Sequence, residues 1–189
     1  MINKIFAGVD EVGRGCLAGP VVSCALILKK SISKKVLRDS KTISFKNRIE
    51  IAKHIKKNSW YAIGAASVDE IDKYNIFNAT LLSMERAVKK LKKKPHFFLV
   101  DGTHAPKKLK NSKTVIKGDQ KIKCISAASI VAKAYRDLYM IKLGSKFPKY
   151  KWHKNFGYGT SQHLSALKKF GVTSYHRRSY KPVHNILFK

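Results

Sequence analysis

The sequence predicts a single α/β domain. Three observations carry that prediction: short apolar runs that stop at acidic residues, two long segments with the helical period, and their order along 189 residues, β-β-β-α-β-β-α with one further polar helix before the third strand. The length supplies one hydrophobic core and is too short for two full-sized ones.

The first strand is Ile5-Phe6-Ala7-Gly8-Val9, which ends at Asp10-Glu11. The second is Pro20 to Leu28, rich in β-branched residues, with Gly13, Gly15 and Gly19-Pro20 punctuating the loop between them. A polar helix over about Ser44 to Lys56 leads to a third strand, Trp60 to Val68, and the three strands form a meander. Asn75 to Lys92 keeps the helical period through Ile76, Ala79, Leu82, Ala87, Val88 and Leu91, and its terminal lysines suit the negative end of the helix dipole. His96 to Val100 is a fourth strand before Asp101, and Lys113 to Lys117 a fifth before Gly118-Asp119. Cys124 to Leu143 is one long helix whose Ser126-Ala127-Ala128-Ser129 turn is small enough to pack closely on a sheet. Residues 144–189 are aromatic and basic, contain a helix near Ser161 to Phe170, and form an extension packed on residues 1–143 as one structural unit.

Charge narrows the function. Forty Lys and Arg against 11 Asp and Glu leave a formal net charge of +29, which suits a polyanionic partner and makes nucleic acid the leading one. A lysine-rich solvated surface is the plainer explanation, and charge alone names no chemistry. Cys16, Cys24 and Cys124 form no CxxC pair and leave one over, so a disulfide framework and a structural zinc site are both disfavoured and a reducing, cytoplasmic setting is expected. The N-terminus lacks a signal-peptide apolar region, and the run near Val21 to Leu28 is far short of a membrane span.

With so few acids, their placement is informative. Asp10, Asp101 and Asp119 stand at or directly after strand ends, with Glu11 adjoining. Parallel neighbours lie about 5 Å apart, so two strands that both end Val-Asp present adjacent carboxylates. Such carboxylates repel unless a cation neutralises them, and oxygen-only ligands select magnesium or manganese. Each acid taken singly is better explained as a turn former. Strand alternation sends Asp10 and Glu11 to opposite faces, so both reach one site only if Glu11 lies past the strand's end. Asp137 competes with Asp119. Placed about 20 Å along the long helix, Asp137 is expected to lie too far from the strand ends and to pair with Lys133 one turn earlier.

Gly13-Arg14-Gly15 fails the dinucleotide-loop pattern because the next glycine is Gly19, no P-loop occurs, and no HExxH or Ser/His/Asp arrangement is legible. A Gly-Arg-Gly loop beside carboxylates does allow the backbone to approach a phosphate or sugar closely. The segments from Trp152 to Thr160 and from Tyr175 to Tyr180 interleave rings with cations, as in surfaces that stack on sugars or bases. Trp152, Phe156 and Phe170 are read as a satellite core, and Tyr158 between glycines as the functional ring.

Taken together these residues resemble type 2 ribonuclease H, the bacterial ribonuclease HII. The resemblance runs from Ala7-Gly-Val-Asp-Glu-Val-Gly-Arg-Gly15 and Ala18-Gly-Pro20 through Asp39-Ser-Lys41, Asn75-Ile76, Ala79-Thr80 and Val100-Asp-Gly102. It continues through Lys117-Gly-Asp119 and Ile125 to Lys133 to Gly157-Tyr-Gly-Thr160 and His176-Arg-Arg-Ser179. Thr42-Ile43 stands where Lys-Leu is usual, and Tyr180 where Phe is common. The resemblance implies a ribonuclease H-like fold: a mixed five-stranded sheet flanked by helices, with residues 1–143 as the catalytic domain and a helical C-terminal extension. It implies an endoribonuclease that hydrolyses the RNA strand of RNA/DNA hybrids and cuts at ribonucleotides embedded in DNA, using two divalent metal ions and no organic cofactor. Asp10, Glu11, Asp101 and Asp119 are its implied metal ligands. Gly13, Arg14, Gly15, Lys41, Tyr158, Arg177 and Arg178 are its implied substrate contacts. With no domain before the first strand the related type 3 enzyme is disfavoured, and a cytoplasmic monomer is expected. The rival reading is a non-catalytic basic nucleic-acid-binding protein of ribosomal type, which has no need of clustered acids.

Overall fold

The computed structural model describes residues 4–29, 32, 33, 37 and 44–188. Five strands form one mixed sheet in the order β3-β2-β1-β4-β5. They are β1 (Phe6–Val12), β2 (Val21–Leu28), β3 (Ser59–Ala66), β4 (Phe97–Asp101) and β5 (Ser112–Val115). The meander β1-β2-β3 is antiparallel, while β4 and β5 run parallel to β1. The long helices are α1 (Phe45–Lys57), α2 (Val68–Lys90) and α4 (Lys123–Lys146), with a single turn, α3 (Gly118–Lys121), ahead of α4.

The sheet is covered on both faces, as its alternation requires. Ala7 and Val9 of β1 join Ala25, Ile27, Val100, Met84 and Ala87 in the core under α2. Cys24 and Leu26 face the other way, into the core built by α1 and the small residues of α4. Two glycines let the helices sit this close. A Cβ on Gly8 would lie 2.2 Å from the backbone carbon of Cys124, at the start of α4, and one on Gly64 would lie 2.0 Å from the carbonyl oxygen of Ser83 in α2.

Three elements differ from expectation. β1 runs three residues further, through both acids to Val12, because β2 continues to pair with it as far as Val12↔Val22. α2 begins at Val68 and not at Asn75. Ser67 and Glu70 form a capping box there, and Asn75 is the point (φ 64°) where the helix kinks and restarts, its side chain accepting from the Asn78 N–H. Asp119 lies in α3, a turn of its own ahead of the long helix.

After α4 the chain forms α5 (Trp152–Asn155), α6 (Ser161–Phe170) and α7 (Lys181–Leu187). Tyr150, Trp152 and Ala166 pack on Met140 and Leu143 of α4 and on Ala18. Leu167 and Val183 cover Leu17. The segment after α4 is thereby fastened onto the loop that follows β1.

Gly8→Ala should force α4 off the sheet and lower stability by about 3 kcal/mol, the range in which overpacking against backbone falls. Urea unfolding of the variant beside the unaltered protein reads that difference as a displaced midpoint.

Candidate active site

The site begins where β4 stops. Its last pairing with β1 is Val9↔Val100, so beyond that register β1 is paired only with β2, and the notch on its β4 side brings Asp10 and Glu11 next to Asp101. Asp10 leaves the strand on the face of Gly8, toward α4, where the nearby Ser129 hydroxyl favours its charged form. Glu11 leaves on the α2 face and lines a groove of about 270 Å³ with Asp101, Arg14, Thr80 and His104. Glu11 is therefore not past the end of the strand, as expected. It shares a site with Asp10 because β4 is shorter than β1.

Asp101 accepts from the backbone N–H groups of Gly118 (2.6 Å) and Asp119 (3.3 Å), which ties α3 to the end of β4. Asp119 itself is half-buried and borders a small depression with Ser126. The electrostatics follow from this crowding. Burial first, then the Glu11 carboxylate and Asp101, pushes the Asp10 carboxyl up to about 8. Burial also raises Glu11, partly offset by Arg14, whose Nη1 lies 3.3 Å from its carboxylate.

Among the described residues no three His, Cys, Asp or Glu side chains close into a ready metal cage. Magnesium rarely needs one, since it is commonly held by one or two carboxylates together with waters and substrate phosphates. Asp10, Glu11 and Asp101 offer oxygen donors only, and their mutual repulsion is what a divalent cation relieves. The residues fit such an ion.

Gly13, Arg14 and Gly15 follow β1 directly, with Gly13 at φ 93°. Arg14 and Gly15 are exposed. Tyr158 stands against the next residue, bridged to Cys16, while Leu17 donates to the Gly157 carbonyl at 2.8 Å. Tyr158 is 38% exposed, with Lys133 5.3 Å from its ring centroid. Burial of its hydroxyl pushes the pKa up to about 12, so it stays a neutral donor.

Arg177 requires a correction. It is fully buried, and its guanidinium is taken up by the carbonyls of Gly13, Arg14 and Gly19, so it cannot itself face a substrate. Arg178 is exposed, its N–H donating to Asp72. Lys41 lies outside the described residues.

Several contributors escaped the sequence reading. Ser129 was valued only for its size. Arg136, fully buried, donates to Pro20, Ala18 and Phe156 carbonyls. Its signal was a cation seven residues after Ser129, on the sheet-facing stripe of α4. His163 and His176 form a buried pair: the Thr173 N–H donates to Nδ1 of His176, which leaves Nε2–H to donate to Nε2 of His163. His163 also accepts from the Trp152 indole, so its own Nδ1–H goes to the Tyr158 carbonyl at 2.9 Å. Burial lowers the pKa of both rings and keeps them neutral.

Asp137 stays apart from the carboxylate cluster for a different reason than distance. α4 runs alongside β1 toward its carboxyl end, with Cys124 at Gly8, Ser129 at Asp10 and Arg136 at Gly13, so distance along the helix does not carry Asp137 away from that edge. What occupies Asp137 is pairing. It is fully buried, 2.8 Å from Lys133 Nζ and 3.9 Å from Arg48.

The ribonuclease HII family profile matches residues 7–183. A curated relative, ribonuclease HII of Pelagibacter ubique, is 56% identical over 97% of this chain and all of its own. The chain belongs to the ribonuclease HII family. That makes it a metal-dependent nuclease of a family that cleaves the RNA of RNA/DNA hybrids. Solved structures agree in fold. Ribonuclease H2 of Pyrococcus horikoshii superimposes with a TM-score of 0.81 at 25% identity over 96% of both chains. Ribonuclease HII of Archaeoglobus fulgidus, solved in complex with PCNA, gives 0.79 at 25% identity over 94% of this chain and 95% of its own. The ribonuclease H-like sheet expected from the HII resemblance is thus present.

Asp137→Asn should cost roughly 3 kcal/mol, the scale on which breaking a buried ion pair destabilises, because Lys133 loses its partner. Thermal unfolding at pH 7 measures it.

Proposed function

We propose that this chain hydrolyses the RNA strand of RNA/DNA hybrids and also cuts at single ribonucleotides embedded in duplex DNA, leaving 3′-hydroxyl and 5′-phosphate ends. The observation that carries the reading is the notch in which Asp10, Glu11 and Asp101 converge beside an exposed Gly-Arg-Gly loop. Two divalent ions, magnesium or manganese, would supply an activated water and stabilise the leaving oxygen. Asp10, Glu11 and Asp101, with Asp119 at the margin, would hold them.

The remaining work falls to the chain's own groups. Asp10 is oriented by the Glu11 N–H (2.7 Å), and the nearby Ser129 hydroxyl favours its charged form. Asp101 is oriented by the α3 amides. Arg14 and Gly15 would approach the sugar and phosphate with their backbone, which suits recognition of the 2′-hydroxyl that separates RNA from DNA. The Tyr158 ring would pack on the sugar at the junction. Arg178 and the surplus of lysines would neutralise phosphates without reading sequence. A cytoplasmic, monomeric enzyme completes the proposal. Among the described residues no helix is long and apolar enough to cross a membrane.

Asp101→Asn should abolish turnover while leaving hybrid affinity close to that of the unaltered protein, because a metal ligand is lost and the basic surface is not. Single-turnover rates and binding isotherms at one salt concentration test this, and full cleavage by the variant would remove Asp101 from the site. Tyr158→Ala should lose a contact of about 1–3 kcal/mol on the stacking scale, selectively on single embedded ribonucleotides, since long hybrids offer many registers. The ratio of cleavage rates on the two substrates reads it; an unchanged ratio would return Tyr158 to a packing role.

A further inference from the structure

Arg177 and Arg136 are fully buried, and no carboxylate lies within ion-pair distance of either among the described residues. A buried guanidinium is costly unless its donors are met, and here they are met by backbone carbonyls. Arg177 Nη2 donates to the Gly13 carbonyl at 2.6 Å and Nη1 to the Arg14 carbonyl at 2.8 Å, while Nε and Nη2 also reach the Gly19 carbonyl. The Tyr180 hydroxyl donates to the same Arg14 carbonyl at 2.5 Å and accepts from Arg177 Nη1 at 3.0 Å. Two consecutive carbonyls of the loop are thus drawn inward by one side chain.

A planar peptide fixes what that does on the other side. In a trans unit the C=O of one residue and the N–H of the next point in opposite directions, and the described chain contains no cis bond. Holding the Gly13 and Arg14 carbonyls inward therefore turns the N–H groups of Arg14 and Gly15 outward. Both residues are exposed, and neither N–H is bonded within the described chain. Gly13, at φ 93° and packed against Arg136, admits the turn that makes this possible.

We propose that Arg177, seconded by Tyr180, is a positioning residue that presents the Arg14 and Gly15 amides as a paired donor to an oxygen of the hybrid's sugar-phosphate backbone. The inference rests on the reading of this loop as a substrate contact. It assigns to the buried Arg177 an effect on recognition with no contact of its own, and to the Tyr180 hydroxyl a share in the same effect. The neighbouring residue acts in parallel on the adjoining segment: His176, through His163, holds the Tyr158 carbonyl. One dipeptide of the C-terminal segment thereby braces both the loop and the segment that carries Tyr158.

The test is an amide titration of the ¹⁵N-labelled full chain with an RNA/DNA hybrid in chelator, so that no cleavage occurs, for the unaltered protein, Arg177→Lys and Tyr180→Phe. In the unaltered protein the Arg14 and Gly15 amides should shift on adding hybrid. In Arg177→Lys both should already be displaced in the free protein and lose more than half of their hybrid-induced shift, while amides elsewhere on the contact surface keep theirs. Tyr180→Phe, which removes one hydroxyl, should move the same two amides in the same direction by less. With metal restored, KM for the hybrid should rise about two- to tenfold in Tyr180→Phe, as one lost hydrogen bond implies, with kcat within twofold. A lowered melting temperature with unchanged shifts at Arg14 and Gly15 would make Arg177 a structural brace only and overturn the proposal. Should Arg177→Lys fail to fold, Tyr180→Phe decides alone, and unaltered Arg14 and Gly15 responses in it would overturn the proposal. Silence of both amides in the unaltered protein would instead overturn the reading of the loop, and the inference with it.

Discussion

The close seating of α4 on Gly8 is the constraint on which the rest of the molecule depends. Without a side chain at that position the start of the helix rests on the strand itself, and the helix then travels along β1 toward its carboxyl end. One rigid element therefore reaches three places in turn: the core at Ile125, the carboxylate of Asp10 through Ser129, and the loop after β1 through Arg136. A helix crossing the sheet at a steep angle would meet only one of them. The small residues Ala127, Ala128 and Ala132 permit the approach, and burying them contributes less apolar area than leucines would. Position is being favoured over core volume along this seam.

The notch follows from a second simple fact, that β4 is five residues long and β1 seven. Alternation places Asp10 and Glu11 on opposite faces, and in a fully paired sheet they would be separated by the strand. Ending β4 at Asp101 removes the neighbour on that side, so the carboxylates crowd together; burial first, then the nearby Glu11 and Asp101 carboxylates, raises Asp10's affinity for protons, and burial raises that of Glu11. The structure accepts that electrostatic strain at a place where a divalent cation would offset it.

Much of this was legible in the residues. The strand-end acids, the helical period of the two long helices and the outlying Tyr158 all announce themselves through pattern, because each obeys a local rule. What escaped was set by pairing and direction. The end of β1 depends on how far β2 continues to hydrogen-bond to it, which no property of Asp10 or Glu11 reveals. The direction of α4 across the sheet decides which of its residues meet the site, and spacing along one helix is silent about it. Asp137 was separated from the site for a reason the geometry does not support, even though its partner Lys133 was correctly named. The start of α2 was a different kind of miss, since Ser67-Val68-Asp69-Glu70 carries a capping box in plain view. It was passed over because the apolar period of the preceding strand ran on into Val68.

Buried charge is handled in two opposite ways around one cleft. On the floor, carboxylates are brought together with few protein cations to balance them; in the walls, Arg136 and Arg177 are buried with carbonyl dipoles for partners. Each arrangement leaves net charge of one sign unpaired by the other. Had the two sets neutralised each other, Asp10 and Asp101 would be spent on guanidinium and the loop carbonyls would be free to turn outward, exposing acceptors to a phosphate that needs donors. On the proposed reading of the site, keeping the two sets apart preserves an acidic floor for cations and a donor-lined loop for the backbone of a polyanion. A net charge of +29 would draw that polyanion in from any direction, and this separation would then favour one place along it for the chemistry.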